Sequence, residues 1–463
     1  MQKLIAKYGL AAHLALLAVA PLFLFPFCDV ASIARVLVWL TLPATLWTVL
    51  EPSIRGGEQL HDARRRVVRA IFRDPLFWAS LVLVAFTGFR ALNTGIALSY
   101  DAEASVWQIS APPFPILPGV VGASGDLPFA AALACSVLMQ ACRHSLGRSA
   151  RMAYLLLSST LSGLAAVLAL VAAYYGCPGA IAAFACGEDV FSFVGLAFGI
   201  QLIGGMVALV AVFEQRWNLS FLLLTLSLGG NGAGLFAFSS PVLAAALATG
   251  ALLMLGYAFA YSIRALNRSG EFRLLVVAGI SLTLGGLLTA AILPEAVLGE
   301  RLAAFKALRF IPESFWTTRE TLSAVAFKSW LSHIWIGTGL ASFPLDFRFN
   351  APQDAWRLFP RGVKMLSNGW LLMLCEQGIV GTVFFILPFG FLLFTYVRRL
   401  VGGVRAWEMP HPACFIAPLA LLLFVAVGFF DCSLLRVEVL MATCALLAVS
   451  AASFPRMRGE RNG

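Results

Sequence analysis

Long apolar runs alternate with short polar connectors along almost the whole chain. Twelve of these runs approach the length of about 20 residues that a helix needs to cross a bilayer. They are predicted at about 8–27, 30–50, 76–96, 127–142, 152–175, 190–212, 219–238, 241–262, 274–293, 369–396, 413–430 and 437–454. The pattern predicts an all-α, polytopic integral membrane protein. The first run lacks a convincing cleavage motif and is therefore predicted to be a span, not a signal peptide.

Composition supports the membrane interpretation. The chain is 60% hydrophobic and 12% charged, with a mean hydropathy of +0.87. An ordinary soluble domain carries about 25% charged residues, so this composition excludes that class. The net charge of +10 does not require a nucleic-acid partner, because Lys and Arg collect in the cytoplasmic loops of membrane proteins. We expect membrane lipid as a partner and no nucleic acid.

Charge placement predicts the orientation of the spans. Of the 33 Lys and Arg residues, 21 fall in the two termini and in the connectors that the twelve spans place on the same side of the membrane. Nine more fall in 294–368. The other side and its span ends keep only Arg35, Arg90 and Arg436. Since the basic side faces the cytoplasm, both termini are predicted to be cytoplasmic. The segment 294–368 is then external.

The external segment divides the chain into three parts. Residues 1–293 hold spans one to nine, 294–368 form the loop, and 369–463 hold spans ten to twelve with a basic tail. A connection of this length inside a folded protein is usually functional. We therefore expect the functional site in the loop and at the start of span ten.

Three stretches of the loop carry candidate chemistry. Apolar positions recur at helical spacing around Arg319, and Gly337-x-Gly339 predicts a tight turn with close backbone approach. Ser367 and Asn368 can cap the N-terminus of span ten. A helix N-terminus at the membrane surface suits a phosphate group.

Further charged residues lie near this helix start. Arg361 and Lys364 can add cationic donors to a phosphate site. Glu376 falls about two turns into span ten, where a carboxylate is costly and tends to face a cavity or a partner. For Arg90, near the outer end of span three, we expect extension toward the headgroups, with a carrier phosphate as the alternative.

The order of these residues resembles the motifs of a known family. The chain reads Arg319, then His333-Ile-Trp-Ile-Gly-Thr-Gly339, then Ser367-Asn368-x-x-Leu371, then Glu376-x-Gly378-Ile-x-Gly381. This is similar to the O-antigen ligase/polymerase superfamily, whose pattern runs roughly R…W, HPLLGxG, HNxxL and ExGxxG. The large external loop between late spans is similar as well.

The resemblance implies an activity at the outer face of the bacterial inner membrane. Family members transfer a glycan from an undecaprenyl-pyrophosphate carrier to a glycan, lipid or protein acceptor, with inversion and without a metal or cofactor. In this chain it implies His333 or Glu376 as the group that accepts the proton of the acceptor. It implies donor binding by a set of polar and basic residues, namely Arg319, Arg361, Lys364, Ser367, Asn368 and Asn231.

Two positions depart from the family pattern. Ser367 stands where the family has a histidine, and a serine without a partner is a poor base at neutral pH. Asn231 stands where the family tends to have an arginine in a middle span, and an amide cannot neutralise a phosphate. An inactive member that assists polysaccharide assembly therefore stays as one alternative. A transporter or flippase is the other, although no inverted repeat with matched broken helices is evident.

Cysteine usage leaves one pairing open. Cys177 and Cys186 lie in the same predicted external loop, where a disulfide can persist. Small residues buried among the spans are the alternative interpretation. The cysteine spacings do not match a zinc site, so no metal is expected.

Overall fold

The fold is seen in a computed structural model, which describes most of the chain. The described residues are 2–24, 28–52, 54, 58–96, 98–101, 106–109, 120–121, 125–172, 192–215, 218–238, 313–359, 363, 366, 368–404, 413–430 and 436–453, with short helical pieces between 247 and 299. All statements below concern these residues. The predicted Cys177–Cys186 pair lies outside them, as do Arg361, Lys364 and Ser367.

Helices make up nearly all of the described structure. They are α1 (Gln2–Leu24), α2 (Val30–Leu50), α3 (Leu60–Arg73), α4 (Pro75–Leu92), α5 (Asp126–Gln140), α6 (Arg148–Val171), α7 (Ser192–Gln215), α8 (Asn218–Phe238), α9 (Glu313–Ser332), α10 (Phe343–Asn350), α11 (Gln353–Leu358), α12 (Gly369–Val404), α13 (Ala413–Phe430) and α14 (Val437–Ser453). A π-helical turn, Ala141–Ser145, follows α5.

Four short strands lie between α4 and α5. The strand β1 (Thr94–Ile96) pairs in parallel with β4 (Val120–Val121), and β2 (Leu98–Asp101) pairs in antiparallel with β3 (Val106–Ile109). The sequence predicted a loop here and continued the third span to about residue 96. The helix in fact ends at Leu92, because the chain turns at Asn93 and enters β1.

Four described helices are long and apolar enough to cross a membrane: Val30–Leu50, Pro75–Leu92, Ser149–Val171 and Gly369–Arg398. Shorter apolar helices cover 8–24, 195–206, 419–429 and 439–450. Large apolar side chains point outward from these helices. Trp39 and Leu46 of α2 are 73% and 63% exposed, Leu92 of α4 is 72% exposed, and Phe394 of α12 is 64% exposed. Water would disfavour so much exposed apolar surface, and the helices therefore indicate a membrane protein.

A polar cluster joins two connectors at one end of the bundle. Asp74 caps α4, with its Oδ1 accepting from the Leu76 N–H at 3.1 Å. Its Oδ2 lies 2.7 Å from Nε2 of His144 and 3.2 Å from Nε of Arg143. Burial opposes ionisation, but the hydrogen bond from His144 and the charge of Arg143 outweigh it and lower the pKa of Asp74. The cluster thus ties the start of α4 to the turn after α5.

The segment 313–377 has a hydrophobic core separate from that of the bundle. Its buried members come from α9, α10, α11 and the start of α12: Leu322, Val325, Ala326, Phe343, Phe347, Ala355, Leu366, Leu372 and Cys375. This second core holds the loop against the first turns of α12, which is where the sequence predicted the functional site.

Candidate functional site

The helix α12 is broken at Gly378. This residue has φ 65° and ψ −173°, so α12 consists of two helices, 369–377 and 379–404. A break leaves backbone N–H and C=O groups without helical partners, and buried groups of this kind must be paired elsewhere.

The loop after α9 supplies those partners. Four backbone hydrogen bonds of 2.9–3.0 Å cross between the loop and the break. They run from Thr338 N to Cys375 O, from Gly339 N to Glu376 O, from Ile379 N to Ile334 O and from Val380 N to Trp335 O. The loop donates two and accepts two, so the segments 333–339 and 376–381 form one backbone unit.

Two glycines permit this close approach. Gly337 has φ 69°, and a Cβ there would lie 2.5 Å from the carbonyl carbon of Glu376. A Cβ on Gly378 would lie 2.5 Å from the backbone nitrogen of Gly337. The predicted tight turn with close backbone approach at Gly337 and Gly339 is confirmed, and the element it approaches is α12.

Glu376 lies at the centre of this unit and is 6% exposed. Its Oε1 accepts from the N–H of Phe343, the first residue of α10, at 3.4 Å, and the N–H of Ala341 also donates to the carboxylate. Ala341 has φ 58°, a conformation that costs a non-glycine residue on the order of 1–3 kcal/mol. These bonds fix the direction of the carboxylate and help to hold the strained turn.

Arg90 reaches the same place from α4. It is 2% exposed, its Nη2 donates to the main-chain oxygen of Glu376 at 2.7 Å, and its guanidinium lies 5.2 Å from the ring centre of Phe86. Its Nε and Nη1 are buried without a hydrogen-bond partner. The expectation that Arg90 extends to the headgroups is therefore wrong, because a distant carbonyl draws the side chain inward.

A cavity of about 410 Å³ lies beside Glu376, between α4, α5, α12 and α14. Its polar lining includes Glu376, Gln377, Ser136 and Arg436, and its other walls are mainly apolar. Thr87, one turn before Arg90, also lines it. Pockets of this size and lining are typical of sites for ligands that are largely apolar with a few polar groups.

Asp346, in α10, accepts hydrogen bonds from the loop and from α12. The sequence did not identify it as a candidate site residue. Its Oδ2 accepts from Oγ1 of Thr338 at 2.7 Å, from Oγ of Ser342 at 3.2 Å and from Sγ of Cys375 at 3.7 Å. Burial raises the pKa of the Asp346 carboxyl, against the lowering effect of these hydrogen bonds. These hydrogen bonds fix the turn around Ala341. The Glu376 carboxylate binds backbone N–H groups of the same turn.

The other predicted residues of the loop lie around this unit. His333 begins the loop; its ring is exposed, with Nδ1 2.9 Å from Oγ of Ser332, and its carbonyl accepts from Gly337 N at 2.8 Å. Arg319 of α9 donates to the main-chain oxygen of Phe429, at the end of α13. Neither of these side-chain hydrogen bonds involves Glu376.

Asn368 has its predicted role as a helix cap. Its Oδ1 accepts from the N–H of Leu371 at 3.1 Å, and its main-chain oxygen accepts from Leu372 N at 2.9 Å. Next to it, Trp370 donates to the main-chain oxygen of Val425 at 3.2 Å. These contacts hold the start of α12 against the end of α13.

Asn231 has a different environment from the one predicted. It is fully buried between α6 and α8. Its Nδ2 donates to the main-chain oxygens of Ser159 and Ser227 at 2.8 and 2.9 Å, and its Oδ1 accepts from Oγ of Ser162 at 2.7 Å. The structure does not support the predicted contact of Asn231 with a phosphate. Its amide is hydrogen-bonded to groups of α6 and α8 instead.

The arrangement combines a buried carboxylate, a buried guanidinium and an apolar cavity. Such a set suits an amphipathic ligand whose polar part carries negative charge. Of its members, the sequence signalled Glu376 through the cost of a carboxylate within an apolar span, whereas Arg90 was expected at the headgroups with a carrier phosphate as the alternative. No protein-family model matches the chain, and no curated protein is detectably similar to it in sequence.

Proposed function

We propose that the protein is a membrane glycosyltransferase. It moves a glycan from an undecaprenyl-pyrophosphate carrier to a glycan, lipid or protein acceptor, in the manner of an O-antigen ligase or a polysaccharide polymerase. One observation carries the proposal: the two segments that resemble that family, 333–339 and 376–381, interlock through backbone hydrogen bonds and hold Glu376 at an amphipathic cavity.

The proposed setting is the outer face of a bacterial inner membrane, with a multi-pass chain and both termini in the cytoplasm. The distribution of Lys and Arg supports this orientation. An undecaprenyl carrier has a hydrocarbon tail and a charged pyrophosphate, which together match the apolar walls and the polar groups of the cavity.

Arg90 is the proposed ligand of the carrier pyrophosphate. Its Nε and Nη1 are buried and unpaired, and a guanidinium presents such N–H groups as a fork that fits phosphate oxygens. Arg90 lies one turn beyond Thr87, which lines the cavity, and Arg436 lines the cavity itself and adds a second cation. Arg319, Arg361, Lys364, Ser367 and Asn368 are the loop residues proposed to contact the polar part of the donor.

The reaction needs a proton acceptor and a stabilised leaving group. An acceptor hydroxyl attacks the anomeric carbon as the bond from that carbon to the pyrophosphate oxygen breaks, which inverts the configuration. The bonding electrons leave with the pyrophosphate, whose added negative charge the arginines stabilise. The hydroxyl proton passes to Glu376, which we favour over His333 because the carboxylate lines the cavity and the imidazole is exposed.

The test is glycan transfer by purified protein in lipid nanodiscs, with a carrier-linked oligosaccharide and an acceptor. Loss of a general base typically lowers the rate by about 10²–10⁴-fold. We expect a fall of that size for Glu376→Gln. Glu320→Gln, which changes an exposed carboxylate on α9, is the matched control and should retain activity. Full transfer by Glu376→Gln would remove Glu376 from the mechanism, and absence of transfer by the wild-type protein would overturn the proposal.

An inactive assembly partner is the second candidate, favoured by the loss of the family's charged residues at Ser367 and Asn231. Gene deletion followed by gels of surface glycans separates the two. Collapse of the glycan ladder that Glu376→Gln fails to restore supports the enzyme, whereas full restoration by that variant supports the partner role.

A flippase is the third candidate, because transporters also use broken helices at their binding sites. Proteoliposomes loaded with carrier-linked glycan distinguish it. Movement of intact carrier between leaflets without a new glycosidic bond would favour transport over transfer.

A further inference from the structure

The part of α12 that follows the break at Gly378 has a length that matches the thickness of a bilayer. The stretch from Ile379 to Arg398 holds 20 residues, and at about 1.5 Å per residue it extends about 30 Å. This equals the thickness of the hydrocarbon core. Two arginines, Arg398 and Arg399, end the stretch on one side, and the loop 333–339 closes it on the other.

One face of this stretch is exposed from Val383 to Val397. Except for one adjacent pair, the exposed positions follow each other at intervals of three or four residues, which is the spacing of one helix face. They are Val383, Ile386, Gly390, Leu393, Phe394 and Val397. A continuous apolar stripe on a helix of bilayer length faces lipid.

Trp335 lies at the loop end of that stripe. Its main-chain oxygen accepts from Val380 N at 3.0 Å, and its side chain is 68% exposed. Three further apolar side chains near it are exposed: Phe327 by 49%, Leu331 by 51% and Ile334 by 36%. Phe327, Leu331, Ile334 and Trp335 form what we call the anchor surface.

We infer that the anchor surface inserts into the boundary between acyl chains and headgroups of the outer leaflet, with phospholipid as its occupant. Continuity with the lipid-facing stripe of α12 favours lipid over a protein partner. Tryptophan is enriched at this depth of a membrane, because its ring combines apolar area with one polar N–H group. Lys328, exposed on α9, can reach headgroup phosphates from its flexible stem.

Insertion has a structural consequence for the site. The backbone bonds between the loop and the break join the anchor surface to the segment that carries Glu376. The depth of Trp335 in the leaflet therefore sets the depth of Glu376. The inference rests on the proposed orientation of the membrane but not on the proposed reaction.

Tryptophan fluorescence in nanodiscs tests the inference. The chain has 11 tryptophans, so the signal of one residue is the difference between the wild-type protein and its Trp→Phe variant. We expect the Trp335 difference signal to be quenched by phospholipids brominated near the glycerol backbone and to resist iodide in the water. Trp356, half-buried against Phe347 with ring centres 5.3 Å apart, is the matched control, and its signal should not respond to brominated lipid.

Two outcomes overturn the inference. Quenching of Trp335 by iodide would place the surface in water. Quenching by neither agent would show that protein, such as a second copy of this chain, covers it. A second variant, Leu331→Glu, should weaken quenching of Trp335 by brominated lipid, because a carboxylate opposes insertion. None of these readings depends on transferase activity, so failure of the inference is separate from failure of the proposed reaction.

Discussion

Arg90 and Glu376, 286 positions apart, are joined by a buried hydrogen bond of 2.7 Å from Nη2 to the main-chain oxygen. The same oxygen accepts from Gly339 N at 3.0 Å. One carbonyl at the helix break thus joins α4, α12 and the loop after α9. A backbone group that serves three segments makes the site a single unit.

Arg90→Leu should abolish glycan transfer and should also lower stability. The change removes a buried charge whose Nε and Nη1 have no hydrogen-bond partner, but it leaves the buried Glu376 carboxylate without the opposite charge of Arg90. Removing one partner of a buried pair of charges costs about 3–5 kcal/mol. Thermal unfolding in detergent and transfer by the folded variant in nanodiscs measure the two effects. Full transfer by the folded variant would remove Arg90 from the proposed donor site.

Gly378→Ala should disrupt the loop–helix unit. The residue has φ 65°, and an added Cβ would lie 2.5 Å from Gly337 N. We expect a loss of stability of at least about 2 kcal/mol, from backbone strain and displacement of the loop. Gly390→Ala is the control, since a Cβ there meets nothing within 4 Å. The comparison uses unfolding temperature, and equal temperatures for the two variants would contradict the geometry of the break.

Asn231→Ala should destabilise the bundle. The amide makes three hydrogen bonds of 2.7–2.9 Å, two to α6 and one within α8. Leaving buried partners unpaired costs about 1–3 kcal/mol. Asn350→Ala, at the half-buried end of α10, should change the unfolding temperature much less. A normally stable Asn231→Ala protein that no longer binds the carrier would restore the phosphate role that the sequence predicted.

Because of Asp74, the stability of the folded protein should fall as the pH is lowered. Its pKa is lowered in the folded protein, so folding favours the ionised form. The stabilisation is complete above the pKa of the unfolded state, about 4, and is lost as the pH falls through the lower folded pKa. Unfolding temperature measured from pH 7 to pH 3 should fall less steeply for Asp74→Asn than for the wild type. Asp62→Asn, which changes an exposed residue of α3, should keep the wild-type slope.

Local patterns predicted the helices well, because apolar length determines a span. The predicted spans 30–50 and 413–430 coincide with α2 and α13. The amphipathic α3 was missed, since its charged residues were taken as a connector. Predicted spans eight and nine fall largely on residues that the structure does not describe, and those described there are helical.

Contacts between distant segments explain what the sequence did not reveal. Gly378 lies in an apolar run where a glycine is compatible with a continuous helix, and only its contact with the loop accounts for the break. Arg90 was placed at the headgroups because its carbonyl partner lies 286 positions later. Asn231 was assigned to a ligand since its serine partners on α6 are not evident from spacing alone.

The bond between Arg90 and Glu376 also has a consequence for biosynthesis. A ribosome releases α4 long before α12, so for much of translation the Arg90 guanidinium lacks its Glu376 carbonyl partner. During that interval the headgroups are the favourable place for its charge. Arrival of α12 and the loop then draws the charge into the bundle. The site is therefore completed only after the twelfth helix is inserted, and a chain truncated before Glu376 would retain Arg90 at the membrane surface.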